Sequence, residues 1–153
     1  MRRLAGCLSV AVTAIAAPQP SAAPPHAVRC DYAQRIECSG AGCRPVPVGS
    51  GYLRMPDTAA LLTATARAAS AAALPTIDIC DAGGCTPIAV RAGRSGAFVN
   101  IAQHDGAHFV KVAVADVAGA GGGPGIRRGD FIEVAAQFLG TVTHVGRCPA
   151  VVR

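Results

Sequence analysis

From Pro75 to the C-terminus, apolar side chains recur at every second position. Ile77 and Ile79 alternate with Thr76 and Asp78, Ile88 and Val90 with Ala89 and Arg91, and Val99 and Ile101 with Asn100 and Ala102. Val110, Val112 and Val114 then alternate with Phe109, Lys111 and Ala113. A period of two is the signature of half-buried strands. Asp105-Gly106 lies between two such runs and predicts a tight hairpin, because the turn needs a residue at positive φ. In the last segment Ile132, Val134, Ala136, Phe138, Val142 and His144 share one parity and Glu133, Gln137, Thr141 and Thr143 the other. With Gly140 as a bend, residues 131–145 form one long kinked strand or two, and the apolar parity is expected to face the core.

Two stretches break the alternation. Residues 57–74 hold Ala, Leu, Thr and one Arg without Gly or Pro, so Ala propensity and a cap at Asp57 or Thr58 favour a helix, with a strand as the alternative. Gly119 to Gly125 predicts a flexible loop between strands. No Lys-Ser/Thr follows these glycines, so they are not expected to cradle phosphate.

The first residues do not belong to the fold. Met1-Arg2-Arg3 precedes an uncharged apolar run from Leu4 to Ala17, the layout of a secretory signal peptide. Small residues suited to cleavage occur at Ala14-Ile15-Ala16 and Ser21-Ala22-Ala23. The expected organisation is a cleaved leader over 1–23, a Pro-rich lead-in over 24–29 and a single β-rich domain over 30–153. Leu4-Ala5-Gly6-Cys7 has the form of a lipoprotein site, but too few residues precede Cys7 and the apolar run follows it, so lipid anchoring is not expected. An exported protein of the periplasm or one released outside the cell follows.

Export changes the meaning of the cysteines. Cys7 leaves with the leader, and Cys30, Cys38, Cys43, Cys80, Cys85 and Cys148 remain, an even set that reads as disulfides. Cys38-Ser39-Gly40-Ala41-Gly42-Cys43 and Cys80-Asp81-Ala82-Gly83-Gly84-Cys85 share one shape. Each ends in Cys-x-Pro followed by an aliphatic residue, and each continues to a Ser-Gly, at Ser50-Gly51 and Ser95-Gly96. We read this as an internal repeat. Gly-rich four-residue turns bring their flanking Cys within bonding reach, which predicts Cys38–Cys43 and Cys80–Cys85 and leaves Cys30 with Cys148. Two C-x4-C hairpins also suit a zinc ribbon; export and the two extra cysteines favour disulfides.

The composition is 51% hydrophobic, 4% aromatic and 15% charged over 153 residues, with 18 Gly and 11 Pro. This fits one small domain whose Ala-rich core is thin, so cross-links matter. No uncharged run reaches the length of a spanning helix without a Pro, so no stable membrane span is expected. Without Arg2 and Arg3 the chain keeps a mild positive excess, carried almost entirely by scattered Arg without aromatic interleaving; nucleic acid is not an expected partner. The fold class expected is mainly β: a disulfide-stapled antiparallel sandwich or small barrel of six to eight strands, with at most one helix.

Candidate chemistry is sparse. His104, Asp105 and His108 form the one local cluster of metal-type ligands, and the Asp-Gly between them reads first as a polar turn. His144 falls on the apolar parity of the last strand and reads as a buried, satisfied histidine, whereas Glu133 falls on the solvent parity. Gly93-Arg94-Ser95-Gly96 lacks the spacing of a nucleophile elbow. No catalytic set, cofactor or resident metal is expected. The leading expectation is a non-enzymatic binding or structural module of the periplasm or cell envelope, with an envelope protein or a small apolar ligand as partner. Two others stay open: a small-molecule carrier with an apolar barrel cavity lined by Val110, Val112, Ile132 and Phe138, and a metal-dependent hydrolase at the His104–His108 turn.

The Cys80–Cys85 segment, the run Ser95-Gly96-Ala97-Phe98-Val99-Asn100-Ile101, and the ending from Phe131-Ile132-Glu133-Val134-Ala135 through His144-Val145-Gly146-Arg147-Cys148 resemble small exported cysteine-containing proteins of alphaproteobacteria. The resemblance covers most of the mature chain. It implies export, disulfides and β structure, and it carries no activity with it.

Overall fold

A computed structural model describes residues 27–149; the expected leader lies outside them. Nine strands follow in chain order: β1 (Ala27–Ser39), β2 (Gly42–Val46), β3 (Tyr52–Pro56), β4 (Thr76–Asp81), β5 (Gly84–Ser95), β6 (Phe98–Gln103), β7 (His108–Ala113), β8 (Asp130–Gln137) and β9 (Gly140–Arg147). From β3 to β9 each strand pairs antiparallel with the next. β1 then closes the ring, pairing β3 along its first half and β9 along its second. The result is an eight-stranded antiparallel barrel, with β2 bonded to the end of β1 outside the ring. Closure removes the unpaired sheet edges that a sandwich would leave.

The Gly119–Gly125 segment is a hairpin loop between β7 and β8, held by the paired backbones of Val117 and Ile126. The helix, α1 (Thr58–Arg67), joins β3 to β4. Asp57 caps it, its Oδ1 accepting from the Ala60 N–H at 2.9 Å. Buried Leu61 joins Leu53, Met55, Val90, Ile101 and Val112 in the barrel core. The opposite rim gathers the loop before β3 and the β4–β5, β6–β7 and β8–β9 turns. Gly106 adopts φ 81°, as the Asp-Gly turn requires.

All three expected disulfides form. Cys38 and Cys43 face each other in the β1–β2 hairpin, Cys80 and Cys85 in β4–β5, and Cys30 joins Cys148. Such bridges belong to an oxidising environment outside the cytoplasm. The likeness between the two hairpins goes no further: β2 is a five-residue strand outside the ring, whereas β5 is a twelve-residue stave of the barrel. No helix among the described residues is long and apolar enough to cross a membrane.

In β8 the expected facing is reversed. Phe131, Glu133 and Ala135 are buried inside, while Ile132 is 37% exposed and Phe138 fully exposed. Ile132 lies opposite Lys111 on the outer surface, where the aliphatic stem of a lysine covers apolar neighbours. Phe138 and Leu139 form the two-residue turn between β8 and β9, so residues 131–145 are two strands and not one. Of the four residues expected to line an apolar cavity, only Val110 and Val112 are inside, and they belong to the packed core.

Gly146 marks a tight crossing of β9 over β1 and β8. A Cβ there would collide with the Asp31 carbonyl oxygen and come within 2.7 Å of the Phe131 ring. Gly146→Ala is expected to destabilise the protein by about 1–3 kcal/mol, as forced overpacking does, measured by chemical denaturation.

Candidate functional site at the barrel mouth

Three adjacent inner rows meet near the turn-bearing rim. β7 contributes His108, Val110 and Val112, β8 contributes Phe131, Glu133 and Ala135, and β9 contributes Val142, His144 and Gly146. Glu133 sits in register between Val110 and His144 and is 1% exposed. An isolated carboxylate at that depth is costly. Here it is surrounded.

The Tyr32 hydroxyl on β1 donates to Glu133 Oε2 at 2.5 Å. His108 Nδ1 lies 3.2 Å from Oε1, hydrogen-bonded to it. His144 Nδ1 lies 3.2 Å from Oε2 but outside hydrogen-bond geometry. The Tyr32 ring stacks on the His144 imidazole, with centroids 4.2 Å apart and planes inclined by 20°, and tilts against Phe131.

Burial pushes the Glu133 carboxyl up, but contacts with His144, Tyr32 and His108 outweigh it and hold the group below its ordinary value, so it is ionised at neutral pH. Burial raises the Tyr32 phenol well above its ordinary range, and the Glu133 charge and hydrogen bond add to the effect. Tyr32 therefore stays a donor. An ionised carboxylate accepts only, so His108 Nδ1 carries the proton in their hydrogen bond. The cluster holds two imidazoles in set orientations.

Above it opens a cavity of about 510 Å³, within the range of small-molecule sites. Tyr32, His108, Glu133 and His144 contribute polar groups, Ile79, Ala135 and Val142 apolar wall, and the loop 48–51 and turn 81–83 form the rim. Arg35 also lines it, opposite His144 across the β1–β9 ladder.

The structure separates the residues of the expected metal cluster. His104 is exposed in the β6–β7 turn, and Asp105 is spent on that turn, accepting from Ala107 N–H and the Gln103 amide. His108 instead faces Glu133. Among the described residues no group of three His, Cys, Asp or Glu side chains is arranged to hold a metal ion, and Cys30, Cys38, Cys43, Cys80, Cys85 and Cys148 are all in disulfides, which leaves no zinc ribbon. His144 does lie inside the barrel, as its parity implies, yet its Nδ1 is not satisfied by a hydrogen bond. Strand parity puts Glu133 on the solvent side, whereas the structure buries it at the centre of the site. Its signal in the sequence is the competing phase: Phe131 and Ala135 share its parity. Tyr32 and Arg35 carry no local signal.

Comparison with family models, with curated proteins and with solved structures finds no match to this chain.

Proposed function

We propose that this protein is a small-molecule-binding module of the periplasm or cell envelope, its ligand seated in the barrel mouth above Tyr32, His108, Glu133 and His144. The observation that carries this reading is the cavity itself: convergent polar groups at one end of a barrel whose other half is filled with packed side chains. Concave sites of this size with a few oriented polar groups are what ligands use. The ligand sits shallowly, since Val110, Val112 and Phe131 occupy the deeper layers. Glu133 acts from beneath as a positioning residue, its oxygens already engaged by protein groups. The reading requires no chemical step.

Native mass spectrometry of the protein purified from an exporting host tests it. A retained small molecule is expected in the wild type and should be lost in Val142→Trp, which fills the cavity, with circular dichroism verifying that the variant folds. Recovery of the protein with no adduct but with a stoichiometric protein partner would favour a structural role instead.

A further inference from the structure

We infer that the mouth takes a small molecule that presents a carboxylate on a short apolar body, an inference that rests on the cavity being a ligand site. Hydrogen-bonding needs at the mouth are lopsided. The carboxylates near it have protein partners: Glu133 accepts from Tyr32 and His108, Glu37 is paired with Arg35 and Arg44, and Asp81 accepts from the Gly83 N–H at 2.7 Å through one of its two oxygens. The polar atoms left buried without a hydrogen bond on the residues lining this cavity are Arg35 Nε and His144 Nδ1. Arg35 Nε is a donor with no other role. A third such atom, Gln103 Oε1, is an acceptor but is not part of this cavity.

A buried donor without a partner costs free energy, and in native proteins such a group usually finds water or a ligand. Arg35 and His144 are register partners on β1 and β9, which puts their Cβ atoms roughly 5 Å apart on one face. The guanidinium keeps Glu37 on its terminal nitrogen at 2.7 Å, leaving the Nε–H for an incoming oxygen. A ligand carboxylate accepts there, with the imidazole of His144 beside it. The apolar remainder of the ligand lies on Ile79, Ala135 and Val142.

Isothermal titration of the folded, disulfide-intact protein with octanoate, octanol and octylamine tests the inference. Octanoate is expected to bind at least about tenfold more tightly than the other two, the usual worth of a charge-assisted hydrogen bond. Arg35→Met should abolish that preference. Glu37→Gln, which breaks the same ion pair but keeps the guanidinium, should retain it. Equal binding of all three probes would overturn the acid preference while leaving the cavity as a ligand site. Tighter binding of octylamine would overturn it outright, as would loss of the preference in both variants. If none of the three binds, the apolar-acid inference fails, and the mass-spectrometric result then decides separately whether the cavity holds any ligand.

Discussion

Removing the Cys30–Cys148 bridge by replacing both cysteines with Ser is expected to cost about 5 kcal/mol, against about 2 kcal/mol for either hairpin bridge. The long bridge spans 118 residues of sequence and the hairpin bridges five each. In the loop-entropy account the unfolded chain gains far more freedom when the long loop opens. The native contacts point the same way. Cys30 and Cys148 are both buried, Cys30 lies on the strand that closes the barrel, and Cys148 N–H bonds to the Gly129 carbonyl at 2.8 Å. A small domain holds only about 5–15 kcal/mol of stability, so the double variant should stand at or near unfolding at ambient temperature. Urea denaturation checks this: the midpoint should fall much further than for Cys38→Ser/Cys43→Ser or Cys80→Ser/Cys85→Ser. Equal losses in all three would show that β1–β9 pairing, and not the covalent closure, holds the ends together.

Glu133→Ala should be the most damaging single substitution at the site, at about 3–5 kcal/mol, the range for breaking a buried charged network by removing one member. It strands the Tyr32 hydroxyl and the His108 Nδ1 that the carboxylate now accepts from. Glu133→Gln keeps an acceptor and should cost about 1–3 kcal/mol. The pH dependence separates charge from shape. The folded-state pKa of Glu133 lies below its ordinary value of 4.5, so its ionisation contributes stability in full above that value and loses it as pH falls through the lowered range. The stability gap between the wild type and Glu133→Gln, measured by denaturation at neutral pH and at about pH 3, should therefore narrow at the acid end. A gap unchanged across that range would mean that the carboxylate does not act through its charge.

Several features of this protein are local and follow from neighbouring residues alone. The alternation of Ile77 to Val114 specifies strands, Asp105-Gly106 specifies a turn, Asp57 specifies a helix start, and two Gly-rich Cys hairpins specify their own bridges, which leaves Cys30 for Cys148. Each needs only backbone geometry within a few residues. Three other features needed the whole barrel. The length of β1 is hidden because a bulge between Tyr32 and Gln34 shifts its phase, so residues facing inward change from Val28, Cys30 and Tyr32 to Arg35. Closure is hidden because it joins β1 to β9, the two ends of the domain, through contacts that no local pattern encodes.

The phase of β8 is hidden for a different reason. Hydrophobicity ranks Ile132 as core and Glu133 as surface, but a barrel's outer wall tolerates a part-exposed apolar residue beside Lys111, and its interior accepts a carboxylate once Tyr32, His108 and His144 are brought to it. Those partners come from three other strands, the farthest of them 101 residues away in sequence. Composition and alternation thus determined that the chain is a stapled β domain. Which way its strands face, and therefore where its polar site lies, was decided by ring closure, because only closure brings in the partners that make burying a charge affordable.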